Sequence, residues 1–176
     1  MSNKAKLTVW LEGITNGALQ WWIRKIALPV WDRQTSRMLN TPGLVIHGGG
    51  STVAKTGGSD CYALADGVLQ KIAASTDMPA LSGTVTNATF NVFAFFIDSG
   101  GTKTSAMGNA GTTLAGVTFP QFPTKKACIG FIIINPTGTG DFVGGTTALD
   151  DGTVVPNAVY VSLLAGFDPY CTIGVV

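Results

Sequence analysis

From residue 71 to residue 176 the sequence holds no glutamate, no arginine and no histidine. Its charged residues there are Lys71, Lys103, Lys125, Lys126, Asp77, Asp98, Asp141, Asp150, Asp151 and Asp168. The whole chain has a single histidine, His47, and a single glutamate, Glu12. Acid–base and nucleophilic catalysis draw on these residue types, so their scarcity argues against an enzyme. A Ser/His/Asp or Cys/His site would have to be built on His47, which precedes three glycines, and no G-x-S-x-G elbow is present. His47 is therefore expected at a strand end or an interface. No catalytic residue is assigned.

Cysteine is scarce as well. Cys61, Cys128 and Cys171 are an odd number with no C-x-x-C spacing, which fits neither a disulfide framework nor a zinc site. Free thiols in a protein made in a reducing cytosol are the expected state. Asp150 and Asp151 match no EF-hand spacing, and no metal is assigned. The glycine-rich Gly48-Gly49-Gly50-Ser51 lacks a phosphate-loop pattern, and Gly138-Thr139-Gly140 does not open a helix, so no cofactor is assigned either. Long apolar runs are missing: Glu12, Asn16, Gln20, Arg24 and Lys25 interrupt residues 7–31, which leaves nothing to span a bilayer. A net charge of +1 gives no steering toward nucleic acid.

Charged residues make up 12% of the chain, about half the usual share of roughly 25%. Surfaces that stay buried between subunits need fewer charges, so the composition points to assembly. The charge is also uneven. Residues 1–70 carry seven basic groups and four acidic ones, residues 71–176 four and six. A basic segment is thus joined to a mildly acidic one.

What is present falls into two parts. Residues 1–60 hold all four tryptophans, Trp10, Trp21, Trp22 and Trp31. Leu7, Leu11, Ile14, Ala18 and Trp22 recur at helical steps, although Gly13 and Gly17 weaken a helix. Asn40-Thr41-Pro42-Gly43 reads as a turn, and the glycine runs at 48–50 and 57–58 as connectors. The segment is expected to be an N-terminal arm ordered by a partner; the alternative is that its tryptophans fold back onto the chain's own body. The expected partner-binding residues are Trp10, Trp21, Trp22, Arg24, Lys25, Trp31, Arg33 and Arg37, since tryptophan and arginine dominate interface hot spots.

Residues 61–176 read as short strands between turn signals. Candidates are Gly67–Ile72, Thr84–Thr86, Phe90–Ile97, Lys103–Met107, Thr112–Phe119, Ala127–Ile134, Asp141–Val143, Thr153–Val155 and Asn157–Leu164. Phe90–Ile97 is apolar on both faces, which suits a central strand covered on both sides. Asp98-Ser99-Gly100-Gly101 breaks it, and Lys103–Met107 is expected to return as its hairpin partner. The aspartates beside Gly, Ser or Pro are expected to serve turns. The fold class is all-β: an antiparallel β-sandwich or barrel-like body, residues 61–176, with an extended N-terminal arm, residues 1–60.

The stretch Ala63–Ser162 resembles small virion proteins of tailed bacteriophages found among head-structure proteins. The residues that carry the likeness are Asn91-Val92-Phe93-Ala94-Phe95-Phe96-Ile97-Asp98-Ser99-Gly100 and Thr104-Ser105-Ala106-Met107-Gly108. Gly130-Phe131-Ile132-Ile133-Ile134-Asn135-Pro136-Thr137-Gly138 and Gly144-Gly145-Thr146-Thr147-Ala148-Leu149-Asp150-Asp151 extend it. Similarity to capsid decoration or cement proteins implies a β-domain on the capsid exterior, commonly a homotrimer, that holds neighbouring major capsid proteins together. The expectation is a structural virion protein, made in the host cytoplasm. The alternative is a receptor- or glycan-binding β-module of a head fibre, tail fibre or spike, for which Tyr160, Tyr170 and Phe167 are the aromatic candidates.

Overall fold

The computed structural model describes residues 28–163, together with Gly17 and Trp21. These residues are nearly all β, as the composition and strand spacing predict. A short helix, α1 (Leu28–Thr35), comes first. It ends where the Thr35 hydroxyl turns back to the carbonyls of Trp31 and Asp32 and the Thr35 carbonyl accepts from the Gly67 amide. Eleven strands follow among the described residues: β1 (Arg37–Met38), β2 (Val45–Ile46), β3 (Ala54–Lys55), β4 (Cys61–Ala65), β5 (Val68–Ile72), β6 (Thr84–Val85), β7 (Asn91–Ile97), β8 (Lys103–Met107), β9 (Ala127–Ile134), β10 (Phe142–Val143) and β11 (Val159–Ser162).

Two antiparallel sheets form the sandwich, one of order β1-β4-β5 and one of order β11-β9-β7-β8. Two further two-stranded ladders, β2-β3 and β10-β6, complete the described strands. Between the sheets lies one core. It takes Met38, Cys61, Ala63 and Ile72 from the first sheet and Phe93, Phe95, Ile97, Ile129, Ile132 and Ile134 from the second. A second cluster, Val92, Ala94, Phe96, Cys128 and Phe131, covers the opposite face of the larger sheet, with Val117, Phe119 and Phe122 packed on it. Every residue of β7 is buried, so this strand is central and covered on both faces. Phe93, Phe95 and Ile97 fall into the first cluster and Val92, Ala94 and Phe96 into the second, as strand alternation requires.

The hairpins follow their turn chemistry. Asp98 accepts from the amides of Gly100 and Thr102 and so shapes the β7–β8 turn. Asp66 and Gly67, at φ 50° and 78°, join β4 to β5 in a two-residue turn that needs positive φ at both positions.

Three expectations need correction. Residues 37–60 belong to the body rather than to an arm: β1 pairs with β4, and Met38, Leu44 and Ala54 are buried in the main core. Thr112–Phe119 is not a strand; it contains a 3₁₀ turn, Leu114–Gly116, and only an isolated bridge joins Asn109 to Thr118. Thr153–Val155 is a turn, because Asp151 accepts from the amides of Thr153 and Val154 and bends the chain there. The helix expected around Leu7–Trp22 lies outside the described residues apart from Gly17 and Trp21, both helical.

Candidate interaction surface

In β4 the small residues Cys61, Ala63 and Ala65 point inward and are fully buried, while Tyr62 and Leu64 point out. The ladder carries this alternation across the sheet. Tyr62 lies opposite Lys71, and Leu64 lies opposite Leu69 on one side and Arg37 on the other. The Leu39 amide donates to the Tyr62 carbonyl at 2.9 Å, which sets Leu39 beside Tyr62. The outer face of the three-stranded sheet is therefore an apolar surface of Leu39, Tyr62, Leu64 and Leu69 bordered by Arg37 and Lys71. Leu69 is 59% exposed and Leu39 is 44% exposed. Covering one such leucine fully stabilises a complex by about 1.5–3 kcal/mol before the costs of association.

The charges at the border are arranged. Lys71 Nζ lies 2.6 Å from Asp60, which also accepts from the Ala74 amide at 2.9 Å. The bond from Lys71, and then the one from Ala74, hold the Asp60 carboxyl below the usual carboxylate range, and Asp60 raises the Lys71 ammonium in turn. A depressed carboxyl contributes stability above its ordinary pKa and loses it as pH falls through the folded value. A raised lysine contributes stability below its ordinary pKa and loses it as pH rises through the folded value. Between those limits the pair acts at full strength. Asp60→Asn is accordingly expected to lower the melting temperature slightly at neutral pH. The gap to the parent protein should close on acidification below the folded Asp60 pKa, which a series of melts against pH would show.

Of the expected partner-binding residues, Arg37 sits on this face and is exposed. Trp21 is 58% exposed, and Trp31 is half-buried in α1. Arg33 falls within α1. Trp10, Trp22, Arg24 and Lys25 lie outside the described residues. Sequence reasoning missed Leu39, Tyr62, Leu64 and Leu69. The signal was present: an alternation of small and large residues in Cys61-Tyr62-Ala63-Leu64-Ala65, followed by the Asp66-Gly67 turn pair.

Other chemically capable residues serve the fold. His47 follows β2 and its Nδ1 meets Asp77 Oδ1 at the surface. Asp141 accepts from the Asn87 amide, and Asp150 from the Gly50 amide, so these two tie distant loops together rather than shaping their own turns. Among the described residues no three His, Cys, Asp or Glu side chains gather as a metal site. Cys61 and Cys128 are both buried. Burial, and secondarily the Asp60 charge, push the Cys61 thiol up, so its sulfur stays protonated at neutral pH.

Tyr160 pairs with Ile132 and packs against the main core, which does not suit stacking on a glycan. Tyr170 and Phe167 lie outside the described residues. The Tyr160 hydroxyl is buried without a hydrogen-bond partner among the described residues, and burial, then the Asp150 charge, push its pKa up to about 12. The unfolded chain ionises first, so stability falls as pH rises between the ordinary value of 10 and about 12. Tyr160→Phe removes both effects. It is expected to gain about 1 kcal/mol at neutral pH and to flatten the alkaline loss, as denaturant titrations on both sides of that window would show.

Against known proteins, no family model, no curated protein and no solved structure matches this chain.

Proposed function

We propose that this chain is a non-enzymatic structural subunit of a tailed-phage particle. It binds the outside of the capsid shell as a decoration or cement protein and stabilises contacts between major capsid proteins. The observation that carries the reading is the exposed apolar face of Leu39, Tyr62, Leu64 and Leu69 on a charge-poor all-β body. Such a face, bordered by Arg37, suits a partner surface that is apolar at its centre and carries an acidic group opposite Arg37. The resemblance of Ala63–Ser162 to head-structure proteins supplies the particle. The buried, protonated thiol of Cys61 is consistent with synthesis in the host cytoplasm before assembly. Many copies on a symmetric shell multiply a modest contact, so no single interface need be tight.

The test is the copy number of the protein in purified particles. A number near that of the major capsid protein is expected. A handful per particle would instead support a fibre or spike module. In a second measurement, Tyr62→Asp placed at the centre of the face is expected to abolish binding to shells stripped of the protein while the fold persists.

A further inference from the structure

The same sheet ends in an edge whose main-chain groups have no partner among the described residues. The Tyr62 carbonyl accepts from Leu39 and the Tyr62 amide donates to Asn40, so the main chain of Tyr62 faces β1. The intervening residues Cys61, Ala63 and Ala65 must then bond to their β5 partners Ile72, Gln70 and Val68. It follows that the amides and carbonyls of Leu69 and Lys71 point away from β4, off the free edge of the sheet.

Proteins normally blunt such an edge. The β8 edge of the larger sheet is less open: all five residues of β8 are half-buried, and the Ser105 hydroxyl bonds across to the Ala80 carbonyl. In β5 three of five residues are exposed, Leu69 and Val68 among them. Lys71 is its one charged residue, and its ammonium is drawn back to Asp60 at the start of β4 rather than standing off the edge.

We propose that β5 is a self-association edge that pairs antiparallel with β5 of a second copy about a two-fold axis through Gln70. The strand is self-complementary in this register. Leu69 comes opposite the partner subunit's Lys71, and Lys71 opposite the partner subunit's Leu69. These are the two residues whose amides and carbonyls point outward, so about four main-chain hydrogen bonds form without any change in β4–β5 pairing. No like charges come directly opposite each other. The pairing joins two three-stranded sheets into one and lays the two apolar faces side by side. The proposal does not depend on which particle the protein serves. It predicts a two-fold contact instead of the three-fold one that the phage resemblance implies.

The test uses the full chain in sedimentation equilibrium over a wide concentration range. Leu69→Pro removes an outward amide while sparing every β4 bond, and an edge strand tolerates proline there. The parent protein is expected to dimerise, and Leu69→Pro to raise the dimer Kd about tenfold or more with its circular dichroism unchanged. Independently, Gln70→Cys, in a chain with Cys171→Ser, brings two thiols together as a non-hydrogen-bonded pair about 4.5 Å apart between Cα atoms, within disulfide range. Rapid formation of an inter-chain disulfide is expected. A parent protein that is monomeric at every concentration, a dimer or trimer undiminished by Leu69→Pro, or a Gln70→Cys chain that cross-links no faster than the Cys171→Ser parent would each overturn the proposal. A failure here leaves the copy-number test of the shell-binding reading untouched.

Discussion

Replacing Gly130 with alanine is expected to destabilise the body by about 3 kcal/mol, the upper end of what overpacking a core costs. A Cβ at this position would lie 2.5 Å from Leu44 Cδ1 and 2.5 Å from the Val161 carbonyl oxygen. The leucine can turn away. The carbonyl cannot, because it belongs to β11, whose Val161 is paired with Phe131 next door. The reason for a glycine lies in the register. Phe95 pairs with Gly130 but Phe96 pairs with Cys128, so Ile129 is the extra residue of a β-bulge. Ile129 and Ile132 both reach the inter-sheet core, and Leu44 fills the space over Gly130. Gly152→Ala is the control, since nothing lies within 4 Å of a Cβ there, and its change should stay within about 0.5 kcal/mol. Comparing the two in urea unfolding decides the matter: an equally small loss at Gly130 would mean that the bulge is not formed as described.

The bulge also marks the limit of what the sequence displays. Ala127–Ile134 reads as a strand from its β-branched run, and its bounds match β9. Nothing in that run reveals that the inward set changes parity, from Ala127 and Ile129 to Ile132 and Ile134. Such a shift is imposed by the two neighbouring strands, and a one-dimensional pattern does not contain it. β7 and β8 were fully legible because aromatic alternation and a Gly-rich turn are local signals. β1, β2 and β3 were not. Each is two residues long, and each exists only through pairing with a partner strand. For the same reason residues 37–60 looked like an arm although Met38, Leu44 and Ala54 are core. The interaction surface was half legible. Arg37 stood out as a charge, but the four apolar residues beside it become one surface only when β1, β4 and β5 are laid in register.

Phe93→Ala carries the other large effect. It is expected to cost about 3–5 kcal/mol, a large share of the roughly 5–15 kcal/mol that holds a domain folded. Phe93 is fully buried in the middle of β7, which pairs on both sides, with Met107 of β8 and Ile132 of β9 across from it. Neither neighbour can move inward to fill the space without breaking a ladder, so most of the cavity should persist. Its ring also meets Phe142 edge-on, with centroids 5.9 Å apart and planes at 65°. Phe142 lies in β10, which is tied to the rest through β6. The ring pair therefore links the large sheet to this small ladder. A double-mutant cycle with Phe142→Ala should show a coupling of about 0.5–1.5 kcal/mol from edge contact, beyond the two separate losses of buried area. Phe96→Ala offers the contrast, because its ring packs on Phe122 in the other cluster and should not couple to Phe142. If Phe96 and Phe142 couple as strongly as Phe93 and Phe142, the two faces of β7 do not define separate cores. If only Phe93 does, the alternation read along Asn91–Ile97 sets which half of the body each aromatic ring supports.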